Sequence, residues 1–132
     1  MHEIIFSENT DREVIYQELL PQISSIVETG PEMVISNMAN VSAILKEALG
    51  FFWIGFYIVK NDQLLLGPFQ GSLACTRISK GKGVCGTSWE KGQSIIVPDV
   101  EKFEGHIACS SLSKSEIVVP LFSNGEVFGV LD

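Results

Sequence analysis

Phe51-Phe52-Trp53-Ile54-Gly55-Phe56-Tyr57-Ile58-Val59 is where the chain changes its period. Phe52, Ile54, Phe56 and Ile58 point one way and Trp53, Gly55 and Tyr57 the other, the two-residue alternation of a strand. Neither set is polar, so this strand has two faces to cover. Upstream the spacing is helical. Val14, Ile15, Leu19, Ile23, Ile26 and Val27 predict a helix over about 11–28, opened by the capping-box pattern Thr10-Asp11-Arg12-Glu13 and kinked or divided at Pro21. Thr29-Gly30-Pro31 stops that helix and restarts the chain. Val34, Met38, Val41, Leu45, Ala48 and Leu49 mark a second helix, which Gly50 ends.

Downstream of the strand, Asn61-Asp62 turns the chain into a partner over Gln63 to Leu66, and Ser94 to Val97 forms a further short strand. Ser123-Asn124-Gly125 joins Ile117–Phe122 to Glu126–Leu131 as a hairpin. The order is two helices, a hairpin, a glycine-rich crossing and a closing hairpin. It predicts an α+β domain with an antiparallel sheet and the N-terminal helices packed on one face.

A chain of 132 residues with 45% hydrophobic content is the size of one domain. The formal net charge of -7 opposes attraction to phosphate backbones, no basic run offsets it, and nucleic acid is not an expected partner. No apolar run approaches the roughly 18 residues that span a bilayer, and the residues after Met1 do not resemble an export signal. No membrane association is expected, and the reading is of a soluble, cytoplasmic protein. Three cysteines are an odd number for a disulfide framework, so their reactivity is the better question.

Most of the chemistry lies between Gly67 and Pro120. Gly81-Lys82-Gly83-Val84-Cys85-Gly86 matches G-x-G-x-x-G, but a dinucleotide site needs a full helix and a second parallel strand after it. Gly92 and Pro98 leave room for about two turns. The glycines are read as a tight turn beside a pocket. His106, Cys109, Cys75 and Cys85 could in principle hold zinc, yet no C-x-x-C knuckle is present and no metal is expected. Cys109 follows Gly105-His106-Ile107-Ala108 in an accessible loop setting, where His106 would favour its thiolate; the alternative is a buried, inert cysteine. Cys75 is two residues from Arg77, whose cation could lower its pKa. Cys85, between Val84 and Gly86, reads as a small packing residue.

Glu116 sits in an otherwise apolar strand on the face of Val118 and Pro120. It is either a solvated strand end or a carboxylate held over a cavity, where its pKa would rise as a proton donor requires. Asp132 repeats the theme beside Phe128 and Val130. Asp99, after Pro98, reads as a turn residue. Trp53 and Tyr57 share one strand face, either as core packing or as aromatic pocket walls.

Taken together, the motifs resemble the free methionine-(R)-sulfoxide reductases, a family of small GAF-domain enzymes. The resemblance rests on Trp53-Ile54-Gly55-Phe56-Tyr57, Leu66-Gly67-Pro68-Phe69-Gln70-Gly71, Cys75-Thr76-Arg77-Ile78, Gly83-Val84-Cys85-Gly86, Gly105-His106-Ile107-Ala108-Cys109 and Ser113-Lys114-Ser115-Glu116-Ile117-Val118-Val119-Pro120. It implies a GAF-like fold with about six antiparallel strands and an oxidoreductase that converts free L-methionine (R)-sulfoxide to methionine. It also implies Cys109 as nucleophile, Cys75 as the resolving thiol that closes a disulfide, and Cys85 as a third cysteine of the recycling chemistry. Glu116 and Asp132 would be the pocket carboxylates and Trp53 and Tyr57 its aromatic walls. No cofactor is implied beyond reducing equivalents from thioredoxin, and the family tends to form homodimers. Ser110 departs from the family's usual aspartate. The family pattern also continues beyond Asp132 with another aspartate and a closing helix, so residues 1–132 are read as one GAF-like domain without that end. The competing readings are a non-catalytic GAF module that binds a small molecule and a thiol redox sensor without turnover.

Overall fold

The computed structural model describes residues 3–8, 11–105 and 114–132. Helix α1 (Arg12–Ile26) packs on α2 (Val34–Leu49), which a 3-10 turn over Pro31–Met33 introduces. Six strands follow: β1 (Ile54–Lys60), β2 (Gln63–Gln70), β3 (Arg77–Ser79), β4 (Ile95–Val97), β5 (Glu116–Ser123) and β6 (Glu126–Leu131). They form one antiparallel sheet in the order β3-β2-β1-β6-β5-β4, with helix α3 (Gly83–Lys91) between β3 and β4. The predicted α+β architecture is the observed one.

Pro21 neither kinks α1 into two helices nor ends it. Pro21 and Gln17, whose carbonyl loses its helical partner, both lie on the exposed side, where water can serve that carbonyl. Helix α1 is capped by Asp11, without a side-chain hydrogen bond, and the capping-box residue Thr10 lies outside the described residues. The segment before α1 is tied to the middle and second half of the helix. The Gln22 amide pairs with both backbone groups of Ile5, and Ser7 donates to Glu18 from its backbone and its hydroxyl at 2.7 and 2.6 Å. Gly50 ends α2 in the left-handed conformation as predicted (φ 64°), and Lys46 donates to the carbonyls of Phe51 and Phe52 as the chain turns into β1.

The N-terminal helices pack as expected, and α3 is a further helix on the sheet. α2 packs on β1 and β2, whereas α3 packs against β3, β4, β5 and β6. The larger core lies under α3, where Tyr57, Leu64, Ile78, Val84, Trp89, Val118 and Val130 are all buried. A smaller core joins α1 to α2 through Ile15, Leu19 and Ile44. β1 is buried on both sides at Ile54, Phe56 and Tyr57, which explains its lack of polar residues.

Both predicted turns carry left-handed residues, Asn61 and Asp62 in one and Asn124 and Gly125 in the other. β2 runs past the expected end at Leu66 to Gln70. The ladder opposes Tyr57 to Leu66 and Gly55 to Phe69, so a bulge around Gly67-Pro68 takes up one extra residue. On the other edge β3 reaches only Gln63–Leu65, so no neighbouring strand needs the N–H that Pro68 lacks.

Candidate active site

α3 starts inside the glycine motif and runs nine residues, about two and a half turns. The strand after it is antiparallel to its neighbour, so the motif is no dinucleotide fold. Its glycine at position 86 serves packing: a Cβ there would stand 2.4 Å from the carbonyl oxygen of Ser79. This close approach seats α3 on the turn after β3 and carries Cys85 beneath the ends of β5 and β6. Cys85 is 4% exposed.

Three polar groups meet at that point. The Cys85 Sγ lies 3.3 Å from Oδ2 of Asp132 and 3.9 Å from Oε2 of Glu116. Asp132 continues the β6 ladder past Leu131, exchanging both backbone hydrogen bonds with Gly55 at 2.8 and 3.0 Å. Glu116 opens β5 on the inward face that Val118 and Pro120 bury. It is therefore the carboxylate held over a cavity, and the solvated-end alternative does not hold. Of the face-mates expected for Asp132, Val130 is fully buried while Phe128 is exposed.

The electrostatics follow from this crowding. Burial raises the Asp132 carboxyl above its ordinary range, against the lowering effect of hydrogen bonds from Glu116 and Cys85. A hydrogen bond between two carboxyls requires a proton on one of them. Burial, and then the two acidic neighbours, push the Cys85 thiol well above the ordinary thiol range. Cys85 is thus a neutral thiol in a polar cluster, not simply a packing residue.

Trp53 and Tyr57 combine the two roles considered for them. Tyr57 is buried in the core, yet both line a cavity of about 1050 Å³ together with Ile78, Cys85, Glu116 and Asp132. Their rings stack at 6.1 Å, and Trp53 stacks on Phe69 at 5.3 Å. The polar tips hold the loop that carries Cys75: the Trp53 indole donates to the carbonyl of Ser72 at 3.0 Å, and the Tyr57 hydroxyl to that of Cys75 at 2.8 Å. Burial and the acidic cluster raise the Tyr57 pKa, keeping the phenol protonated. Phe69 backs Trp53 without lining the cavity itself.

Cys75 is disulfide-bonded and Cys85 is free. Arg77 is exposed, and its guanidinium donates to Gln63 at 3.4 Å. Asp99 is the turn residue expected, accepting from the backbone N–H of Glu101 at 3.0 Å. Cys109, His106 and Ser110 lie outside the described residues. Among the described residues, the donor atoms of Cys85, Glu116 and Asp132 lie within 4.8 Å of one another, close enough to enclose a cation. Hydrogen bonds among the three already account for that closeness. Of the four residues considered for zinc, Cys85 is in this group, and His106 and Cys109 lie outside the described residues.

A family model described as a GAF domain matches residues 38–132. The GAF domain-containing protein A of Dictyostelium discoideum is 60% identical, over 92% of this chain and 77% of that protein. The free methionine-R-sulfoxide reductase of Saccharomyces cerevisiae is 41% identical, over 96% of this chain and 75% of the yeast protein. The chain belongs to the GAF-domain family of free methionine-R-sulfoxide reductases. Within this reductase family, the crystal structure of the Neisseria meningitidis member in complex with its substrate superposes with a TM-score of 0.94. It is 55% identical and matches 100% of this chain and 79% of that one. Like the sequence, the described residues of this family member contain no helix long and apolar enough to cross a membrane.

Proposed function

We propose that this protein reduces free L-methionine (R)-sulfoxide to methionine. The observation that carries the reading is the meeting of a thiol and two carboxyls in a cavity walled by Trp53 and Tyr57. Membership of the reductase family supports it.

In the reaction the Cys109 thiolate attacks the sulfoxide sulfur while the Glu116–Asp132 pair delivers a proton to the oxygen. The oxygen passes from the substrate sulfur to the Cys109 sulfur as the substrate S–O bond and the transient sulfur–sulfur bond break, so that methionine departs and Cys109 is left as a sulfenic acid. The Cys75 thiol then attacks the Cys109 sulfur, expels water and closes a disulfide. Two electrons from an external dithiol restore both thiols. The disulfide-bonded state of Cys75, beside a free Cys85, supports the choice of Cys75 for this step. The electron donor is thioredoxin, the setting is the cytoplasm, and the working form is a homodimer.

A free amino acid suits the site because its ammonium can lie against carboxylate oxygen and its methyl end against the indole and phenol rings. The test is turnover with dithiothreitol, comparing the parent with Cys109→Ser and Cys75→Ser. Methionine should form with the parent, not with Cys109→Ser, and stop near one equivalent with Cys75→Ser when thioredoxin is the only reductant. A folded parent that releases no methionine overturns the reading.

A further inference from the structure

Cys85 is the cysteine for which the proposed reaction has no use. Its surroundings fit a different task. Sγ is buried on α3 and has one proton to give, and the nearer acceptor is Asp132 Oδ2 at 3.3 Å; Glu116 Oε2, at 3.9 Å, is the more distant one. Three titratable groups on the sheet face it: Tyr57 on β1, Glu116 on β5 and Asp132 after β6. Lys82 and Lys114 line the same cavity. A thiolate there would stand against two acidic groups in a site with little water, a costly arrangement.

We propose that Cys85 is a positioning residue that never exchanges electrons: its permanently un-ionised thiol donates to Asp132 and thereby sets the pH range over which the Glu116–Asp132 pair holds its transferable proton. This rests on the reading that the cavity binds the sulfoxide. Donation to a carboxylate favours its charged form, so the thiol holds the pair's pKa below what burial alone would impose. The pair then releases its proton to the sulfoxide oxygen more readily than burial alone would allow. Without the donor, the pair would keep its proton to higher pH and part with it less readily.

Two measurements test this. In the first, the pH profile of kcat is compared for the parent, Cys85→Ala and Cys85→Ser. Cys85→Ala should lower kcat about tenfold and move the alkaline limb to higher pH, with KM nearly unchanged. Cys85→Ser, whose hydroxyl can donate to Asp132, should restore most of both. Equal losses in the two variants with an unmoved limb would overturn the proposal, and so would Cys85 trapped in a mixed disulfide during turnover. The second needs no activity. In a Cys75→Ser/Cys109→Ser chain, where Cys85 is the one thiol left, thiolate absorbance is followed against pH. The midpoint should lie well above that of an ordinary thiol, and Asp132→Asn should bring it down by about one pH unit. An ordinary midpoint, unmoved by Asp132→Asn, would overturn the proposal. Were the parent to reduce no sulfoxide, the reaction reading alone would fall, and the titration would still decide whether Cys85 is held as a neutral donor.

Discussion

In the proposed reaction, Asp132 serves the chemistry at the expense of the fold. Its folded pKa lies above the unfolded value, so the folded state keeps a proton that the unfolded chain has released. Stability is therefore lost as pH rises from the unfolded pKa through the raised folded one. Asp132→Asn removes that loss while keeping a group that can accept from Cys85. Thermal melts at neutral pH should show the variant more stable, by on the order of 1 kcal/mol, and the difference should shrink below the unfolded pKa. Its turnover should fall about a hundredfold or more, the usual cost of a missing general acid. Some of this was legible in the sequence: a carboxylate on an inward strand face, as at Glu116, is a local signal. The hydrogen bond from Cys85 to Asp132 was not, because nothing in residues 81–86 tells which strand ends lie above that helix.

At the scale of elements, the strands that alternate and end in left-handed turns could be read directly, and β6 has the predicted bounds. α3 was reduced to a loop with room for two turns because its glycines disguise it. The reason for one of them is tertiary: position 86 lies against the Ser79 carbonyl, a contact that no local propensity encodes. Gly86→Ala should force α3 off the turn after β3, lowering stability by about 1–3 kcal/mol in denaturant unfolding. Cys85 would shift with the helix, so turnover should fall further than the stability loss alone explains. The three-residue β3 and the far half of β2 escaped for a related reason. Each is held by its ladder partner, and Gly67-Pro68 reads as a break until the bulge that accommodates it is known.

For the whole molecule, the sheet divides the labour. α2 packs on β1 and β2 and carries α1, α3 packs on β3 to β6, and all three helices line the cavity; the helix that buries the larger core also delivers the thiol beneath the carboxyls. That arrangement ties activity to an intact core, and it presents one chiral pocket to a small zwitterion. The most direct measurement is the methionine formed from an equal mixture of the (R) and (S) sulfoxide epimers of free L-methionine with excess dithiothreitol. The account predicts that about half of the sulfoxide is consumed and that the reaction then stops, leaving the (S) form. Complete consumption would contradict the pocket as described, and no methionine from the folded protein would contradict the function itself.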